Sequence, residues 1–258
     1  MTDTLFDIGG KVALVTGGTS GIGYMIARGL VARGVRTYVS GRDAGRTAAL
    51  ADDLAAAGGD CVGLAVNLSD PAGPRALAQA LAAHEERLDL LVNNAGANTS
   101  GNLADMTMAD WDLVLNVNTR AAFFLTQALM PLLKAAGRAE DPARIVNIGS
   151  IGGLHVPNWE AHAYGASKAA LHHLTRSLAK ALGPDRITAN AIAPGPFPSR
   201  LTDTESEAVR KNVAAHIPLG RAGEADDIVG LVTFLASRAG AYVNGTTIPL
   251  DGGYIATL

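Results

Sequence analysis

The residues with the most chemistry to offer are Tyr164 and Lys168, in the run Tyr164-Gly165-Ala166-Ser167-Lys168. They open a segment, Ala163 to Leu182, whose apolar residues recur at helical spacing, so positions i and i+4 share a face. A free tyrosine ionises at about pH 10 and exchanges protons poorly near neutrality, whereas a lysine ammonium one turn away favours the phenolate. Such a pair suits an acid for carbonyl reduction or a base for alcohol oxidation. The lysine's three donors can also hold a ribose hydroxyl. Tyrosine and lysine fall at this spacing by chance on many surface helices, so placement matters. Ser150 ends the apolar run before them, where its hydroxyl can donate to a substrate oxygen. A second constellation is Thr16-Gly17-Gly18-Thr19-Ser20-Gly21-Ile22-Gly23, between an apolar run and a helical segment from about Tyr24 to Arg33. Glycines there let the backbone approach a phosphate, and the first amides of a helix attract it, which makes a cradle for a dinucleotide pyrophosphate. The spacing is Gly-x-x-x-Gly-x-Gly, not the commoner Gly-x-Gly-x-x-Gly. Further on, Ser40-Gly41-Arg42 has glycine where a dinucleotide fold usually places an acid for the ribose hydroxyls. Arg42 follows with a guanidinium fork suited to a 2′-phosphate. The plainer alternative is an arginine that solvates the turn, with Asp43 competing for it. This pattern points to NADP(H) as the preferred cofactor, with NAD(H) possible.

The elements that must position these groups are short apolar runs at Lys11–Thr16, Val35–Ser40, Cys61–Val66, Leu88–Asn93, Arg144–Gly149, Ile187–Ile192 and Thr246–Leu250. Each has the length of a buried strand, and helical segments fill the intervals. Alternation of this kind, with strands apolar on both faces, predicts an α/β fold: a doubly wound, Rossmann-type parallel sheet of about seven strands with helices on both faces. Ligands bind such sheets at the carboxyl ends of the strands, where Ser150 falls. Residues 1–258 read as a single dinucleotide-binding oxidoreductase domain, with a substrate lid around 194–218 that opens on Pro194-Gly195-Pro196-Phe197-Pro198. Ala135–Pro142 reads as a polar surface loop.

The whole chain narrows the partners. At 258 residues, 48% hydrophobic and a formal net charge of −3, it can bury a sizeable core and carries no basic footprint for nucleic acid or an anionic membrane. A small-molecule carbonyl or alcohol is the expected substrate. No secretory signal is read in Met1–Lys11 and no membrane-spanning run follows, so a cytoplasmic location is expected. Cys61 is the sole cysteine, too few for an intrachain disulfide. His155 and His162 lack a third ligand at suitable spacing, so no metal is expected. His172 and His173 read as interface or surface residues.

With Asn93-Asn94-Ala95-Gly96, Pro194-Gly195 and Asp251-Gly252-Gly253 added in the same order, these motifs resemble the short-chain dehydrogenase/reductase family over essentially the whole chain. The resemblance implies that Asn118, in Asn116-Val117-Asn118-Thr119, completes a catalytic tetrad with Ser150, Tyr164 and Lys168, its backbone holding a water that relays protons to Lys168. It implies a cofactor site of Gly17, Thr19, Ser20, Gly21, Ile22, Gly23, Arg42, Asn67, Leu68, Asn94, Gly96, Tyr164, Lys168, Pro194, Gly195, Phe197 and Ser199. It also implies a homotetramer, which fits the apolar faces around Trp111–Leu133 and Ala163–Leu182. Three departures stand out. Asn67 replaces the family's usual aspartate beside the adenine, Ser199 stands where threonine is commoner, and the Ser150–Tyr164 interval is one residue longer than usual. The run Ile192–Arg200 looks closest to β-ketoacyl reductases of the rhamnolipid-biosynthesis type. The leading expectation is reduction of a ketone, a 3-oxoacyl thioester or related carbonyl, to a secondary alcohol. A sugar, polyol or steroid alcohol dehydrogenase is the same-class alternative. A non-catalytic dinucleotide-sensing regulator would have no need of Tyr164 and Lys168.

Overall fold

The structure is a computed structural model and describes residues 4–99, 102–157, 160–198 and 207–257. Seven strands, β1 Val12–Thr16, β2 Arg36–Gly41, β3 Cys61–Ala65, β4 Leu90–Asn93, β5 Ala143–Ile148, β6 Ile187–Pro194 and β7 Thr247–Leu250, form one sheet in the order β3-β2-β1-β4-β5-β6-β7. Every pairing is parallel. The chain reverses direction across the sheet between β1 and β4, the topological switch at which such folds bind ligands.

Helices α1 Gly21–Val31, α2 Ala44–Ala56 and α8 Ala225–Ala236 cover one face, and α3 Gly73–Ala82, α5 Ala121–Ala136 and α6 His162–Leu182 the other. The period-2 geometry of the strands produces this division. On β1, Ala13 and Val15 enter the first core while Val12 and Leu14 enter the second; on β5, Val146 and Ile148 face one way and Ala143 and Ile145 the other.

Several element boundaries depart from the sequence reading. Helix α1 begins at Gly21, three residues before Tyr24, because two glycines are tolerated in a first turn whose amides need no intrahelical partner. The apolar stretch after Trp111 is two helices, α4 Met108–Leu115 and α5, joined by a π-helical turn at Asn116–Arg120. Helix α5 runs to Ala136, so the 135–142 stretch is loop from Gly137 onward. Asp141 ties that loop down through ion pairs to Lys11 and to the fully buried Arg144. In the 194–218 segment, α7 Glu207–His216 is helical; residues 199–206 lie outside the described residues. No helix among the described residues is long and apolar enough to cross a membrane.

Candidate active site

The site lies along the carboxyl edge of β1, β4, β5 and β6. On the β1 side, Gly17 adopts φ +63°, a left-handed conformation that an L side chain resists, and a Cβ there would lie 2.9 Å from the Ala95 Cα. The turn therefore presses against the loop after β4. Asn94 fastens the two together, its Nδ2 donating to the carbonyls of Thr16 (2.8 Å) and Gly17 (3.1 Å). The side chain that the family resemblance places against the cofactor thus serves as a strut of the glycine turn. Ser20 precedes α1 in extended conformation without a side-chain cap, and the first turn holds no acid. Amides of Gly21, Ile22 and Gly23 are left without a capping side chain at the positive end of the helix dipole. This donor set fits a pyrophosphate.

At the end of β2, a Cβ on Gly41 would lie 2.5 Å from Thr47 Oγ1 and 2.8 Å from Thr19 Cγ2. The packing leaves no room for the acid that holds ribose hydroxyls in other dinucleotide folds. Arg42 is exposed and has no ion pair among the described residues. Asp43, its suspected competitor, is engaged as the N-cap of α2, accepting the Arg46 amide at 2.9 Å. A 2′-phosphate fits this corner by charge and by space. After β3, Asn67 is exposed with its Oδ1 accepting from the Ser69 amide and hydroxyl, while the Leu68 side chain is buried in the core.

In the second half of the site Lys168 and Asn118 are buried, and Ser150 and Tyr164 are partly buried. Lys168 is 4% exposed and donates to the Ile148 carbonyl at 2.8 Å; burial pushes its ammonium down to about 8. Its Nζ stands 5.6 Å from the centre of the Tyr164 ring. Burial raises the Tyr164 phenol above its ordinary value, and a hydrogen bond from Ser150 opposes the rise. The sequence reading had the lysine ammonium favouring the phenolate. In the folded chain desolvation outweighs any such help, so the phenol stays protonated near neutrality. Asn118 is 2% exposed within the π turn. Its Oδ1 accepts from the Ala97 amide at 2.7 Å, and its Nδ2 donates to the Ala97 carbonyl at 3.0 Å and to Ser167 Oγ at 2.9 Å. The side chain is fully used in clamping the loop after β4, which leaves only the backbone of the widened turn for other partners. Gly96 borders both groups: a Cβ there would lie 3.5 Å from Asn118 Oδ1 and 3.9 Å from Lys168 Nζ.

Beyond β6, the Pro194 backbone pairs with Leu250 and the Gly195 amide donates to the same carbonyl at 2.9 Å. Phe197 is 3% exposed with its ring packed under Gly223, so it anchors the segment's start in the core. Ser199 lies outside the described residues. Val213 and Ile217, in and just after α7, pack on Ile151 and Tyr254, which brings the 207–217 stretch and the chain's end against the residue following Ser150. His155 lies beside Tyr254, ring centres 5.4 Å apart. Among the described residues no group of three or more metal-ligating side chains is assembled.

Three structural contributors escaped the sequence reading. The Thr16 hydroxyl accepts the amides of Asn94 and Ala95, both at 2.9 Å, and a threonine ending a strand carries no signal of that. The Ser167 hydroxyl donates a hydrogen bond to the Tyr164 carbonyl at 2.7 Å while accepting one from Asn118; its place inside the Tyr-to-Lys turn was the available clue. His172 is buried, not a surface or interface residue, because the segment after β5 folds over it.

A glycine turn at the switch point, a tyrosine and buried lysine on one helix and a serine at the end of β5 define a Rossmann-type oxidoreductase. Residues 17–255 match the family model described as enoyl-(acyl carrier protein) reductase, and the chain belongs to the short-chain dehydrogenase/reductase family. It is 45% identical to the rhamnolipids biosynthesis 3-oxoacyl-[acyl-carrier-protein] reductase of Pseudomonas aeruginosa, over 96% of this chain and 98% of that one. It is 35% identical to the 3-oxoacyl-[acyl-carrier-protein] reductase FabG of Escherichia coli, over 95% and 97% of the two chains. Among solved structures, the Pseudomonas aeruginosa RhlG/NADP active-site complex superposes with a TM-score of 0.93 at 45% identity, covering 97% of this chain and 98% of that one.

Proposed function

We propose that the chain is an NADP(H)-dependent ketoreductase that converts the keto group of a 3-oxoacyl thioester, or a related carbonyl, to a secondary alcohol. The observation that carries this reading is the hydrogen bond between the Ser150 and Tyr164 hydroxyls, with Lys168 buried behind them at the end of β5. A reduced nicotinamide, when bound, supplies hydride to the carbonyl carbon. Ser150 and Tyr164 hold the carbonyl oxygen through their hydroxyls, and Tyr164, kept protonated by burial, gives it the proton. Lys168 replaces that proton, fed through the backbone of the π turn at Asn118, and its depressed ionisation makes it a ready donor near pH 8. Gly17 to Gly23 hold the pyrophosphate and Arg42 the 2′-phosphate. Asn67 and the Leu68 backbone border the adenine, with Gly96 and the 194–199 segment along the nicotinamide side.

The acyl-carrier-protein substrates named for the relatives support the thioester as substrate class. The chain works as one domain whose 194–218 segment closes over the substrate, and it resides in the cytoplasm. Exposed Trp111, Leu113, Phe123 and Phe124 on α4 and α5 support assembly into a homotetramer. Monitoring reduced-cofactor absorbance against 3-oxoacyl thioesters, simple ketones, sugars, polyols and steroids tests the reading. It is upheld if thioesters show the highest kcat/KM with NADPH, and it fails if a polyol or steroid alcohol with NAD+ is preferred.

A further inference from the structure

His172 is 3% exposed, and neither ring nitrogen has a hydrogen-bond partner among the described residues. A leucine at this place would bury no such unpaired atoms, so the histidine calls for a reason. It follows Lys168 by one helical turn and Tyr164 by two, so the three share a face of α6. Lying across that face is the segment Gly149–Gly153, which carries Ser150. A Cβ on Gly149 would fall 2.1 Å from His172 Nε2, and one on Gly153 would fall 2.9 Å from its Cε1 and 2.7 Å from the Lys168 and Ala169 backbone. The imidazole therefore fills the space beneath both glycines that flank Ser150, and only residues without a Cβ can lie so close to it. Burial first, and Lys168 second, push the ring down to about 4, so it is neutral beside the lysine. The Gly153 carbonyl lies near enough to favour the charged ring but not in hydrogen-bond geometry, and burial prevails.

We propose that His172 is a positioning residue, a flat wedge between α6 and the glycines around Ser150 that seats the Ser150 hydroxyl on Tyr164. Shortening the wedge lets the segment sink and draws Ser150 off the phenol; a branched side chain of similar volume lifts it. The inference rests on the roles proposed above for Ser150 and Tyr164.

The experiment is a double-mutant cycle in the full-length enzyme with NADPH and a 3-oxoacyl thioester, comparing H172A, S150A and S150A/H172A, with Y164F alongside. Expected for H172A is a loss of roughly 10- to 100-fold in kcat, the range that misplacing a reacting group produces. Its Kd for NADPH, read by cofactor fluorescence, should stay within about twofold of wild type, a bound set well below the tenfold step of one lost charge-assisted contact. S150A/H172A should be no slower than S150A. The planar variant H172N should recover part of the lost kcat, and it replaces H172A throughout if the alanine protein does not bind NADPH. Wild-type kcat in H172A, an H172N enzyme no faster than H172A, or losses that multiply in the double mutant overturns the proposal. A Y164F enzyme of normal turnover would instead overturn the underlying assignment of Tyr164, a distinguishable result.

Discussion

The two ends of the cofactor groove are built on opposite principles. At the β1–β2 end the proposed working groups are backbone amides and an exposed guanidinium, and the packing keeps side chains out: Gly17 against Ala95, Gly41 against Thr47 and Thr19. At the β5–α6 end the proposed working groups are side chains drawn largely out of water, and burial raises the ionisation of Tyr164 and lowers that of Lys168. Recognition of a highly charged, hydrated ligand needs donors at the surface, whereas proton transfer at neutral pH needs groups whose ionisation has been moved by desolvation.

The sharpest way to break this contrast is at the buried end. Tyr164→Phe removes the proposed proton donor while leaving the glycine turn intact, so turnover should fall by about 10²- to 10⁴-fold, the usual worth of general acid catalysis. NADPH affinity should hardly change. Equal losses in both measurements would mean that the two ends do not divide binding from chemistry.

A smaller effect is expected at the exposed end. Arg42→Ala gives up the proposed charge-assisted contact to the 2′-phosphate, worth about 1.5–3 kcal/mol, so KM for NADPH should rise tenfold or more with little change for NADH. Steady-state kinetics with each cofactor decides it; equal effects would assign Arg42 to the turn alone. Gly41→Asp tests the exclusion argument. The introduced Cβ must displace the buried Thr47, and overpacking of this kind costs about 1–3 kcal/mol. The variant should melt lower and should not become an efficient NADH enzyme unless Thr47 is trimmed as well. A G41D protein of wild-type melting temperature would show that the slot is open.

The least conspicuous effect concerns stability against pH. Lys168 titrates at about 8 in the folded chain against 10.5 ordinarily. Between these values the unfolded chain holds more protons, so stability rises with pH across the window, and below pH 8 the full desolvation cost is present. Lys168→Met should therefore melt higher than wild type at pH 7, with the difference shrinking as pH rises from 8 toward 10.5. A difference independent of pH would place the lysine outside the buried end.

Period and punctuation in the chain determined the sheet, its seven strands and the order of the motifs, because strand polarity, glycine turns and a four-residue helical repeat are local properties. Glycine at 41 followed by arginine was legible for the same reason. Other features depended on segments far apart in sequence. The π turn that turns Asn118 inward looks like ordinary helix in the amino-acid pattern; what marks it is the grip of Asn118 on the Ala97 backbone, 21 residues away. For Asn94 the resemblance implies packing against the cofactor; that its side-chain amide also ties the carbonyls of Thr16 and Gly17 across the switch point came only from the fold. Lys168 one turn from Tyr164 suggested an ammonium lowering a phenol, a relation that holds in water. Only packing decided that Lys168, against Ile148 and Gly96, and to a lesser degree Tyr164, beside Gly152, are drawn out of solvent, so that desolvation governs both ionisations. His172 changed from a surface residue to a buried one by the same route, since nothing local announces that Gly149 and Gly153 will fold over it.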